Sequence, residues 1–231
     1  ADHHDIFEIK NYNDPSWGIN RGDAMELECN YLLMCDNLLD PTHVAWVHAG
    51  SFGQAATKSA PLRVKKTNDG VIVHRWMMDV EPAPFYKKVV GFNGNCDRLQ
   101  HYEVRYPSNA LIKAIFTPAG TGGSEGKLHD DVFIMDSYNF MTPVTESKTR
   151  YYWFQLRNIR PDDSELSQLM TDDVQQAFEE DRNVLNEVQK GMTNKTSPHI
   201  DLPIDAGQLR FRRQLQAMIN EEEQVDKQMA Q

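Results

Sequence analysis

The chain has 231 residues, 40% of them hydrophobic and 25% charged, with a formal net charge of −10. That length is enough for one large domain or two small ones with a real core, and its apolar runs all fall short of the roughly 20 residues of a membrane span. A surface this acidic repels phosphate backbones, which argues against nucleic acid as a partner.

The stretch 26–37 (ELECNYLLMCDN) alternates loosely and is rich in leucine, so a strand is expected. It leads into 38–47, where a short helix is expected, capped by Asp36 or Asn37, with Pro41 in the first turn. From Leu62 to Trp153 the signals are strands separated by turns: VKKTND, GVIVHRWMMDV, CDRLQHYEVRYP, ALIKAIFTP, DVFIMDSYNFMTP and TRYYWFQLRN. Asn68, Asp69 and Gly70 supply a hairpin turn between the first two, and PAGTGGSEG (118–126) reads as a flexible loop.

After Asp162 the period changes. Leu166, Leu169, Met170, Val174, Phe178, Val184, Leu185 and Val188 recur at helical spacing, with Asp163 or Ser164 as the cap and Gly191 as a stop. A last helix is expected over 206–223. Helix, antiparallel strands and long helix in that order predict an α+β fold with helices on one face of a sheet. The three cysteines, Cys29, Cys35 and Cys96, are odd in number and widely spaced. A reducing, cytoplasmic setting is therefore expected, and no zinc or iron–sulfur ligand pattern is visible. The chain starts at Ala1 without a leader pattern, so a trimmed or partial N-terminus is expected.

The stretch DNLLDPTHVAWVH (36–48) carries the first chemical signal. Asp40 and His43 share a helix face. His43 and His48 are five apart, which on an ideal helix separates them by about 140°. They can converge on one ion only if the helix bulges or ends between them. The other histidines carry weaker signals: His3 and His4 lie near the start, His74 and His101 in strands, His129 and His199 in loops. Two histidines and a carboxylate make the facial triad of non-haem Fe(II) oxygenases. The long helix offers Asp172, Asp173, Glu179, Glu180 and Asp181, most of which must be solvated. Asp181 shares a side with Phe178 and Leu185 and can look inward, but spacing leaves Glu165 and Asp173 open.

Four segments, DNLLDPTHVAWVH, PAGTGGSEG, TPVTESKTRYYWFQLRN and IDAGQLRFRRQLQ, resemble in order the catalytic domain of Rieske non-haem iron oxygenases of the vanillate O-demethylase and dicamba monooxygenase group. The first resembles the family's Asn-x-x-Asp-x-x-His-x(4)-His. The resemblance implies that His43, His48 and Asp181 bind Fe(II), that Asp40 bridges to a cluster histidine of a neighbouring subunit, and that Asn37 lies near the iron. It implies a helix-grip fold, a curved antiparallel sheet around a long helix, in a head-to-tail trimer. O₂ is then the cosubstrate. Electrons come from a 2Fe–2S Rieske cluster on a partner chain or missing domain, and indirectly from NAD(P)H through a reductase. The family's N-terminal Rieske domain has no counterpart in the sequence, so residues 1–231 are expected to form a single catalytic domain.

Where the family often has a histidine in the late strand, this chain has Arg150. That residue either clamps a carboxylate or a carbonyl-rich ring, or faces outward and pairs with an acid. Phe133, Tyr152 and Phe154 are expected in the pocket wall, although a one-residue slip inverts a strand's face. The implied activity is oxidative demethylation or hydroxylation of an aromatic or heteroaromatic ring. Two alternatives are an N-demethylase acting on a methylated purine, with the Rieske domain in its reductase, and a non-catalytic helix-grip ligand-binding or assembly subunit.

Overall fold

A computed structural model describes residues 7–54, 60–91, 93–194 and 200–229; His3, His4 and His199 lie outside them. Eight strands form one antiparallel sheet: β1 (Gly18–Arg21), β2 (Met25–Leu27), β3 (Arg63–Lys66), β4 (Gly70–Val80), β5 (Cys96–Arg105), β6 (Asn109–Pro118), β7 (Phe133–Thr145) and β8 (Lys148–Arg157). The order across the sheet is β1-β8-β7-β6-β5-β4-β3, and β2 also pairs with β8. Among the described residues five α-helices accompany it: α1 (Tyr31–Asn37), α2 (Val44–Val47), α3 (Pro84–Val89), α4 (Ser164–Thr193) and α5 (Ala206–Met229). This is the α+β, helix-grip arrangement that the resemblance implied, with α4 running along one face of the sheet.

The strands from β4 to β8 follow the sequence reading closely because hairpin chemistry is local. Thr67 N donates to the Gly70 carbonyl across the predicted turn. The N-terminal half departs from it. Residues 26–37 are not one strand: β2 stops at Leu27, and the Asn30 side chain accepts from Leu32 N at 2.9 Å to cap α1. Nor is 38–47 one helix. The chain turns after Leu38, Asp40 Oδ1 takes the Thr42 N–H at 2.7 Å just beyond Pro41, and helical geometry covers only Val44–Val47. The short helix α3, which the sequence reading lacked, begins at Pro84, whose fixed φ suits a first helical turn, and carries Phe85 and Tyr86 into the core.

Asp163 caps α4 by accepting from Leu166 N at 2.8 Å. Leu166, Met170, Val174, Ala177, Asp181 and Leu185 form its buried stripe. Burying each larger apolar side chain contributes roughly 1.5–3 kcal/mol. Leu169, Val184 and Val188, expected on that stripe, are exposed, and the helix continues past Gly191 to Thr193. Arg212 on α5 pairs with both carboxylate oxygens of Asp36 on α1, through Nε to Oδ1 and Nη2 to Oδ2, and ties the last helix to the first. The three cysteines are buried and unpaired by disulfides. Among the described residues no helix is long and apolar enough to cross a membrane.

Candidate metal centre and its cavity

The end of α2 solves the geometric problem posed by the two histidines. His43 is the N-cap of α2, and His48 follows its last residue with φ −107° and ψ 34°, outside helical geometry. Leaving the helix at that point swings the second ring back, so the two imidazole centroids lie 5.3 Å apart. Asp181 comes up from α4, 3% exposed, and its Oδ1 lies 3.2 Å from His48 Nε2 and 3.6 Å from His43 Nε2. One ligand atom from each of the three side chains lies within 4.8 Å of the others.

The surrounding bonds orient these groups. His43 Nδ1 contacts the Asp40 backbone carbonyl, which can only accept, so Nδ1 carries the hydrogen and Nε2 keeps its lone pair. His48 Nδ1 likewise donates to Glu180 Oε2 at 2.7 Å, which in the neutral ring leaves Nε2 as the lone-pair nitrogen. Asn37 Nδ2 donates to Asp181 Oδ1 at 3.0 Å, while Asn37 Oδ1 is buried without a hydrogen-bond partner. Burial pulls the His48 pKa down, but hydrogen bonds and negative charge from Asp181 and Glu180 outweigh it, and the net direction is up. The donor set fits a divalent metal. Two ligands about 2.1 Å from one ion stand roughly 3–4 Å apart across the usual angles, and two neutral imidazoles with one carboxylate suit Fe(II).

The triad opens onto a cavity between α4 and the inner face of the sheet. The helix side supplies Val174, Ala177 and Phe178, the α2 and α3 side Phe52 and Tyr86, and the sheet Arg98, Tyr102, Ile112, Met135, Ser137 and Gln155. The sheet residues share the inner face by register: Tyr102 pairs with Ile112, Ile112 with Ser137, and Ser137 with Gln155.

Several expected residues stand elsewhere. Arg150 is exposed and Tyr152 is 43% exposed, both on the outer face of β8. Phe154 shares that face, stacked on Tyr138 with centroids 5.2 Å apart. Neither the arginine clamp nor these two aromatic walls therefore reaches the cavity. The inward members of β8 are Tyr151, Trp153 and Gln155, the alternate set. Phe133 is on the inner face but 1% exposed behind Tyr86 and Phe116, outside the cavity lining. Asp40 holds His43 through its main-chain carbonyl, not its carboxylate, which accepts from Thr42. Of the competing acids, Glu165 is exposed and Asp173 pairs with Lys88 at 2.7 Å.

In the sequence Glu180 is one of five clustered helix acids, and nothing in its spacing assigns it to the site. Its adjacency to Asp181 was the available signal, because neighbours on a helix diverge by about 100° and can flank one site. Arg98, Tyr102, Ser137 and Gln155 lie in strands that were recognised, but nothing in the alternation said which parity turned inward.

Residues 27–221 match the family of vanillate O-demethylase oxygenase C-terminal domains. The vanillate O-demethylase oxygenase subunit of Pseudomonas sp. (strain ATCC 19151) is 31% identical over 222 residues, covering 94% of this chain and 67% of that protein. The iron–sulfur subunit of the toluene-4-sulfonate monooxygenase system of Comamonas testosteroni is 30% identical, covering 88% of this chain and 59% of its own length. A crystal structure of dicamba monooxygenase bound to 3,6-dichlorosalicylic acid superposes with a TM-score of 0.86 at 22% identity, over 96% of this chain and 65% of that one. NdmA of Pseudomonas putida CBB5 with caffeine gives a TM-score of 0.64 at 15% identity, over 92% and 55%. The chain thus spans about two thirds or less of the length of these proteins.

Proposed function

Because the chain belongs to the family of vanillate O-demethylase oxygenase C-terminal domains, we propose that it is the catalytic part of a Rieske-type non-haem iron monooxygenase that demethylates or hydroxylates an aromatic substrate. The observation that carries this reading is the convergence of two imidazole Nε2 atoms and a buried carboxylate beside a largely apolar cavity. His43, His48 and Asp181 would hold Fe(II). Bound there, the metal would supply O₂ reduction, with two electrons from a 2Fe–2S cluster outside this chain and two protons, leaving one oxygen atom in the substrate and one in water. On an O-methyl carbon the product is a hemiacetal, which collapses to formaldehyde and a phenol.

The chain's own residues prepare that chemistry. The Asp40 carbonyl and Glu180 fix each histidine in the tautomer that points its lone pair inward. Asn37 holds the Asp181 carboxylate in place. Val174, Ala177, Phe178 and Phe52 seat a ring and exclude water. In this reading Asp40 lies on the electron path from a neighbouring subunit of a trimer, and a reductase passes on electrons from NAD(P)H.

The test is anaerobic Fe(II) loading followed by nitric oxide and electron paramagnetic resonance. A high-spin iron–nitrosyl signal is expected. A folded protein without it would overturn the reading and bring a non-catalytic ligand-binding cavity to the front. With an electron donor supplied, formaldehyde release from methoxybenzoates against N-methyl purines then separates O- from N-demethylation.

A further inference from the structure

Among the described residues lining the cavity, Arg98 is the one arginine or lysine and Asp181 the one carboxylate. They belong to opposite walls: Asp181 is on α4 with the histidines at its side, and Arg98 is on β5 in the sheet. Arg98 is 2% exposed. Its Nη1 donates to Gln54 Oε1 at 2.5 Å, and its guanidinium lies 4.7 Å from the Tyr86 ring centroid and 5.2 Å from that of Phe116. These partners are an amide and two rings, none of them an anion. Its Nε is buried without a hydrogen-bond partner, as is Ser137 Oγ on the same wall.

Two other buried arginines set the contrast. Arg75 donates to Gln100 Oε1 at 2.7 Å and to the Pro41 carbonyl at 2.9 Å, joining β4 to the loop that carries the histidines. Arg157 donates to the Arg160 and Asp163 carbonyls and to Ser167 Oγ, fastening β8 to the start of α4. Both fasten backbone and neither lines the cavity; Arg157 also leaves its Nε and Nη1 without partners, so the contrast lies in the backbone bonds and in facing the cavity. Arg98 bonds to no main-chain carbonyl that would explain its position. A cation buried without a counter-ion is costly, and the Nε edge of a guanidinium is the side that grips a carboxylate through two parallel bonds.

We propose that Arg98 anchors an anionic carboxylate or sulfonate on the substrate ring, making the cavity selective for aromatic acids over neutral rings of the same shape. This deepens the proposed function and rests on it for the identity of the cavity as the substrate site. It also moves the arginine clamp from Arg150, which the fold turns outward, to a residue on the inner face. The ring lies between the apolar α4 wall and the sheet, with its anion at Arg98.

Titration calorimetry on the full chain tests this without turnover, using 3-methoxybenzoate, 3-methoxybenzenesulfonate and the neutral isostere 3-methoxybenzamide. The expected result is at least one anion binding about tenfold or more tighter than the amide, with Arg98→Met erasing the preference and leaving amide affinity within about twofold. Arg98→Lys keeps the charge but loses the fork, and should weaken the anion several-fold while sparing the amide, so the proposal stays testable if the Met variant fails to fold. Equal wild-type affinity for acid and amide, or a preference that survives in Arg98→Met, overturns the anchor alone and leaves the oxygenase reading standing. If none of the three rings binds, the anchor falls, and the iron–nitrosyl signal decides the oxygenase reading separately.

Discussion

His48 and His101 each meet a glutamate at hydrogen-bonding distance, 2.7 Å to Glu180 and 3.1 Å to Glu103. The two clusters behave differently because of what else is present. Around His48 the lone-pair donors converge: a second imidazole and the Asp181 carboxylate face its Nε2 side, while Glu180 holds its Nδ1. Around Glu103, on the outer face of the sheet, the proton donors converge: His101 and Arg105, the latter at 2.5 Å, share one carboxylate. Lone pairs aimed at a common point are completed by a metal ion. Donors aimed at a common carboxylate are already complete, and make an ion pair. Counting histidines and acids cannot tell the two apart; the direction of the donors can.

Removing a ligand should separate the clusters most sharply. His43→Ala and Asp181→Ala are expected to reduce iron to background after anaerobic loading and desalting, while His101→Ala retains the wild-type content. Metal analysis on folded protein, checked by circular dichroism, decides it; iron retained in both ligand variants would break the comparison. A smaller effect is expected at Glu180, which touches His48 and contributes no ligand of its own. Glu180→Gln should weaken iron affinity by about 10–100-fold, as losses of such supporting bonds do, and competition against a chelator measures it. Unchanged affinity would mean that Glu180 is a bystander.

The smallest effect concerns stability and pH at the second cluster. Burial raises the Glu103 pKa, but the hydrogen bonds and positive charges of His101 and Arg105 dominate and hold it down at about 2. A folded-state pKa below the unfolded value of 4.5 contributes stability that is fully present above about pH 4.5. It is lost as pH falls toward about 2. Glu103→Gln should therefore cost on the order of 2 kcal/mol at neutral pH. Below pH 4.5 the gap to wild type should narrow. Urea denaturation at pH 7 and pH 3 checks both statements, and a gap that widens in acid would reverse the sign of the argument.

Much of the frame was legible from local chemistry. GVIVHRWMMDV coincides with β4, the Asp163 cap starts α4 where expected, and Leu166, Met170, Val174 and Leu185 are buried at the spacing that announced them. The histidine pair was legible as a conditional: the rings could meet if the helix ended between them, and it ends at Val47. The misreadings have local causes too. Residues 26–37 mix a three-residue strand with a seven-residue helix, and both are too short for a period to declare itself. Pro41, read as a first-turn residue, instead lies in a turn before α2 and shortens that helix.

The sequence by itself determined the strands from β3 to β8, the long helix and the residues that can donate to a metal, because each depends on a repeat or a spacing within a few residues. Only the tertiary structure decided which parity of β8 faces inward, and so removed Arg150, Tyr152 and Phe154 from the cavity in favour of Gln155. It also put Glu180 behind His48 across 132 positions and set Arg98 in the wall opposite Asp181. Strand alternation is symmetric between its two faces until something packs against one of them. Here that something is α4, whose buried stripe selects the inner face of the sheet and carries Asp181 to the histidines.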